Sequence, residues 1–169
     1  DWWDLKKGNP PWHIWVGDAG KWLEACAYTL AVHPDKRLGR LVDAAVREIA
    51  KGQKPDGYLY SNPLPRKWRW ANLSEGHEMY DLGHVMEGAV ALFEQTGRRE
   101  LLDVVSRAAD LVAKNFGRKK GQCRGYDGHQ EIELALVKLY RATGEKRYLD
   151  LAKFFIDVRG TKPDYFVEE

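Results

Sequence analysis

Residues 74 to 88 read SEGHEMYDLGHVMEG, with His77 and His84 seven positions apart and Glu78, Tyr80 and Asp81 between them. Seven residues is close to two helical turns, so both imidazoles fall on one face of a helix. Imidazoles and carboxylates in this arrangement could hold a metal ion, hydrogen-bond a polar ligand, or simply close a helix start. The metal reading would use His77, Asp81 and His84, but a zincin helix needs histidines at i and i+4. Asp81 stands in that second place, and no metal is expected on this chain. Asn72 and Ser74 each stand three residues before a partner, Glu75 and His77, which is the spacing of local helix caps. A third histidine, His129, lies in GYDGHQEIE, where Asp127 and Gln130 have capping-box spacing. Capping explains each histidine alone; a shared location for His77 and His129 would favour ligand binding.

The composition narrows the ligands. Hydrophobic residues make up 44% and charged residues 31% of the 169 positions, as expected of a globular chain. A formal net charge of +2 gives no reason to expect nucleic acid or an anionic membrane as partner. No run approaches the roughly 20 apolar residues that span a bilayer. The two cysteines, Cys26 and Cys123, are far apart, and no disulfide framework is indicated. Seven Trp, eight Tyr and five Phe are unusually many, and several cluster in turn-rich stretches such as DWWDLKKGNPPWHIW and PRKWRW. Aromatic faces in loops suit sugar rings, or they fasten the loops to the body.

The elements that must position these residues are helical hairpins. Apolar residues recur at helical spacing through Leu23, Ala27 and Leu30, then again through Leu38, Val42, Ala45 and Ile49. The same two-part pattern runs from Val85 to Val112 and from Ile132 to Ile156. The turns between the parts are VHPDKR, QTGRRE and ATGEKR, and the Thr-Gly pairs supply a glycine for a left-handed helix end. Three antiparallel hairpins and no strand are predicted. The first helix of each hairpin is apolar over much of its circumference, whereas the second carries charges such as Asp43, Arg47, Glu48, Asp103, Arg107 and Asp110. First helices inside and second helices outside make an all-α arrangement, an α/α toroid of three hairpins. The two long connections, 51–76 and 117–130, must then gather at one rim, beside the N-termini of the inner helices. Asp18 is placed ahead of the first of these, His77 and His84 at the second, and His129 at the third.

The segments KWLEACAYTL, QKPDGYL, HEMYDLGHVMEGAVALFEQTG and GYDGHQEIELALVKLYRATGEKRYLDLAKFFIDVRG together resemble glycoside hydrolase family 127, the β-L-arabinofuranosidases. The likeness runs from about Asp18 to Gly160. It implies an (α/α)6 catalytic barrel of which this chain is the N-terminal half, a single all-α segment over 1–169. It implies that His77 and His129 line a sugar subsite; His84, Glu78, Tyr80 and Asp18 are further candidates from their place at the same rim. It also implies a zinc-bound cysteine nucleophile and a glutamate acid/base, all C-terminal to the region matched here. Zinc is thus expected in the full-length enzyme, while none of the catalytic groups and no zinc is expected in this chain. GDAGKWLEA, where the family more often has a DSD-like run, and Asp81-Leu82 inside the histidine motif bear on which sugar is bound.

Two alternatives remain open at this point. Sugar epimerases and unsaturated glucuronyl hydrolases share the toroid and need no metal. A helical-repeat binding module is the other, although matching hairpins offset by 63 and then 47 residues do not keep a fixed period. The chain begins at Asp1 rather than Met, so a natural start upstream is expected. Three hairpins are half a ring, so an open flank is expected to bind the remainder of the catalytic domain or a second copy of the chain, beside a carbohydrate substrate.

Overall fold

A computed structural model describes residues 15–61, 64–162 and Tyr165. The aromatic-rich stretch 1–14 lies outside the described residues. Six α-helices form three hairpins: α1 (Trp15–Val32) with α2 (Lys36–Gly52), α3 (Glu78–Thr96) with α4 (Glu100–Asn115), and α5 (Ile132–Thr143) with α6 (Lys146–Val158). Among the described residues no strand forms, and extended pairing is confined to one bridge between Phe116 and Cys123. No described helix is long and apolar enough to cross a membrane.

Local chemistry sets the turns. Gly97 and Gly144 take the left-handed conformation with φ of 71° and 75°, and their amides close α3 and α5 on the Phe93 and Tyr140 carbonyls. Asp35 caps α2 by accepting from the amides of Arg37 and Leu38.

Helices α1, α3 and α5 pack side by side as an inner layer, and α2, α4 and α6 back them. The middle inner helix, α3, is buried from Met79 to Leu92 on nearly every side, sparing only Tyr80 and His84. Outer helices bury one stripe each, such as Leu101, Leu102, Val105, Ala108 and Val112 of α4. Three hairpins in an arc are what the periodicity predicts. Trp22 and Tyr28 on α1, Leu134 on α5 and Ile156 on α6 remain exposed.

Glycine lets α1 and α3 approach closely. A Cβ on Gly20 would lie 2.4 Å from the carbonyl carbon of His84, and one on Gly88 would lie 2.6 Å from the Gly20 carbonyl oxygen. Both collisions are with helix backbone, which cannot swing aside. Gly20→Ala is expected to push α1 off α3 and to cost about 1–3 kcal/mol, as overpacking does. Urea unfolding measures it, and an unchanged midpoint would mean that the helices slide without loss.

Candidate functional site

Both long connections reach the same rim. The Gly128 amide donates to the Leu73 carbonyl at 2.8 Å. The buried carboxylate of Asp127 accepts from the amides of His129 and Met79, so it caps the first turn of α3 from the other loop. Burial pushes its carboxyl up to about 6, against those two bonds. This junction brings His77 and His129 together, with ring centroids 4.1 Å apart.

His77 is the N-cap of α3 and holds φ at 55°, in the left-handed region that non-glycine residues seldom occupy. Its Nδ1 lies 2.6 Å from the Glu75 carbonyl oxygen, which can only accept. A proton is thereby held on Nδ1, which in that tautomer leaves Nε2 as the acceptor. His129 is exposed; desolvation first, and then the neighbouring His77 imidazole, lower its basicity, with Glu75 opposing.

Tyr80 stands against both rings, at centroid distances of 5.6 Å from His77 and 5.5 Å from His129. Its hydroxyl accepts from Lys21 Nζ at 3.1 Å, and the same ammonium pairs with Asp18 at 3.3 Å. Asp18 lies inside the first turn of α1 rather than ahead of the helix, because α1 begins at Trp15. Asp18 therefore reaches the rim only through Lys21.

Two of the expected contacts are withdrawn from the surface. Glu78 is buried, with one oxygen accepting from the Tyr58 hydroxyl at 2.5 Å and the other from the Trp70 amide at 2.7 Å. It fastens the 53–76 connection to α3 instead of facing the rim, and burial pushes its carboxyl up to about 7. His84 lies one layer below Tyr80, ring centroids 4.6 Å apart, and points its Nδ1 at Glu87 and Glu131. Of the sequence-weighed metal set, Asp81 also turns away: it is fully buried beside Gly17 of α1. The aromatic stretch 65–70 divides as well. Trp70 packs edge-on against Tyr58 and Phe116, gluing the loop down, while Trp68 is exposed.

Below the rim, a second polar group lines the inner layer. Lys138 of α5 donates to Glu87 of α3 and to Glu24 of α1. Glu131 faces Glu87; burial and that neighbour push the Glu131 carboxyl up. Burial acts on Glu87 in the same sense, but bonds from Glu131 and Lys138 bring it below its ordinary value. Glu133, another inner-helix carboxylate, is taken by Arg159 at 2.9 Å. Sequence reasoning missed Glu131, Lys138, Lys21 and Asp127 as neighbours of the histidines. The seven-residue step from Glu131 to Lys138 was the available signal for the first two.

Two adjacent imidazoles and a phenol at a helix rim supply donors and acceptors for hydroxyl groups, with aromatic faces for the apolar side of a ring. The family model described as the β-L-arabinofuranosidase, GH127 catalytic domain, matches residues 2–168. A curated non-reducing end β-L-arabinofuranosidase of Bifidobacterium longum subsp. longum is 46% identical over 158 residues, covering 90% of this chain and 24% of the relative. The crystal structure of a GH127 β-L-arabinofuranosidase from Geobacillus stearothermophilus T6 superposes with a TM-score of 0.87 and 47% identity, over 92% of this chain and 25% of that one. A second solved structure, a GH127 β-arabinofuranosidase, gives a TM-score of 0.80 and 43% identity over 86% and 25%. The chain spans about a quarter of the length of these relatives.

Proposed function

Because the chain belongs to the GH127 β-L-arabinofuranosidase catalytic-domain family, we propose that it supplies part of the sugar-binding rim of a glycoside hydrolase acting on β-L-arabinofuranosides. The observation that carries this reading is the 4.1 Å pairing of His77 with His129 beside Tyr80 at one mouth of the inner helices. His77 Nε2, with its proton held on the other nitrogen, accepts from a sugar hydroxyl. His129 and the Tyr80 hydroxyl, oriented by Lys21, complete the polar contact, and Asp18 and His84 support it through Lys21 and Tyr80.

The nucleophile and the acid/base are proposed to come from outside these 169 residues. The described thiols do not fit a cysteine-held zinc: Cys26 is buried in α1 with its thiol pushed up by burial, and the Cys123 sulfur accepts from the Gly125 amide. Neither joins a convergent group of donors among the described residues. No catalytic step is assigned through such a metal here. The exposed Trp22, Tyr28, Leu134 and Ile156 are the proposed seats for the remaining hairpins of the barrel, or for a second copy.

The test is a substrate comparison on the whole enzyme that carries this chain. Release of an aryl leaving group from the β-L-arabinofuranoside, at least tenfold faster than from the α-anomer, is expected. Isomerisation of free sugar, or turnover of an unsaturated glucuronide in its place, would overturn the proposal in favour of the other toroid enzymes.

A further inference from the structure

We propose that His84, Glu87 and Glu131 form a binding site for a divalent transition-metal cation of the zinc type, built from one imidazole and two carboxylates. One donor atom from each residue lies within 4.8 Å of the other two. His84 Nδ1 is 3.4 Å from Glu87 Oε2 and 3.2 Å from Glu131 Oε1. A tetrahedral cation with bonds of about 2.0–2.1 Å sets its ligands roughly 3.3 Å apart, so these two edges already have the length that zinc requires.

The distribution of hydrogen atoms points the same way. Glu131 is 8% exposed, yet its Oε1, the oxygen aimed at His84, has no hydrogen-bond partner. Lys138 does not fill the gap, because it donates to the other oxygen of Glu87, Oε1, and to Glu24. It therefore holds Glu87 by the back, as an outer partner orients a metal-ligating carboxylate, and leaves Oε2 facing inward. Of the three carboxylates in this half-buried wall, Glu24 and Glu87 pair with the Lys138 ammonium, and Glu131 feels it only at a distance. The point where the unpartnered oxygen and the imidazole nitrogen converge is therefore suited to a further cation. An imidazole ligand favours zinc, copper, iron or nickel over calcium or magnesium.

The ligands come from two separate parts of the chain. His84 and Glu87 stand one turn apart on α3, and Glu131 caps α5, so a bound ion would pin the two inner helices just beneath Tyr80. This site departs from the sequence-level expectation that the chain binds no metal. This donor group contains no thiolate and shares only His84 with the His77–Asp81–His84 set.

Metal content and the cobalt spectrum of the whole protein test the site, and both are independent of which sugar is cleaved. The chelator-stripped protein is expected to take up cobalt with absorption bands lacking thiolate charge transfer, in addition to any thiolate-bound metal. Glu131→Gln, close in shape, is expected to weaken that component roughly 100-fold or more, whereas Glu24→Gln leaves it in place. In the unmutated protein, cobalt is expected to shift the His84 ring resonances and leave those of the exposed His33 unmoved, a reading that needs no variant to fold. Equal thiolate-free cobalt in protein and Glu131→Gln, or unmoved His84 resonances, would overturn the site and leave a proton shared between Glu87 and Glu131.

Discussion

His77→Ala and His129→Ala are each expected to lower kcat/KM of the whole enzyme roughly 10²–10³-fold, the range for losing a hydrogen bond made to the transition state. The loss should be concentrated in kcat/KM and not in folding. His129 is exposed and His77 only half-buried, so neither truncation opens a core cavity. The two variants should also fail to add, because the rings lie 4.1 Å apart, in contact with each other. Steady-state kinetics and thermal melts on the same preparations check this. A fall in melting temperature that accounts for the lost activity would return both histidines to a purely architectural role. His77 carries one qualification of its own: at φ 55° an alanine is no better suited than histidine, so His77→Gly separates backbone strain from the missing imidazole.

Stability is expected to fall as pH rises from about 4 to about 8. The cause is Asp81, whose carboxyl burial and the Asp18 charge push up to about 8, with Lys21 opposing and Asp127 adding a little. A weak contact with the Gly17 amide is all that opposes this from the backbone, and no side chain donates to either oxygen. A carboxyl raised in the folded state keeps its proton there while the unfolded chain, with an ordinary value near 4, has lost it. The stabilising difference is complete below about pH 4 and is lost by the time pH passes the folded value, at about 1.4 kcal/mol per pH unit per group. Glu78 and Asp127, at about 7 and about 6, act in the same sense over shorter windows. Asp81→Asn should remove the largest share, so the variant should outlast the unmutated protein at pH 8 and differ little from it at pH 5. Urea titrations across that range decide it; a stability that climbs toward pH 8 would show Asp81 ionised and satisfied in the fold.

Much of this architecture is written locally. The three hairpins follow from apolar spacing, and the Thr-Gly turns close α3 and α5 as those dipeptides require. The rim position of His77 and His129 follows from connection lengths, since a chain leaving an outer helix must return to the start of an inner one. What spacing does not convey is which way a polar side chain turns within its helix face. Glu78 and Tyr80 are neighbours, yet one turns in to Tyr58 and Trp70 while the other turns out, and those partners lie 20 and 8 residues away along an irregular connection. The union of His84 with Glu131 depends on how α3 and α5 are rotated, and that rotation is set by packing between helices. Asp81 reads as a polar residue beside a histidine and is in fact interior, because Gly17 leaves room for it.

The close crossing of α1 and α3 has a consequence for anyone sorting variants by phenotype. Gly20 and Gly88 touch no sugar, yet Gly20 rests on the carbonyl of His84, and α1 also carries the Lys21 that orients Tyr80. A methyl group added there would have to displace the helix that carries part of the rim. In a screen that scores catalytic turnover alone, such alleles would be filed with the loss-of-function histidines. A parallel urea unfolding curve would tell a displaced scaffold from a missing imidazole.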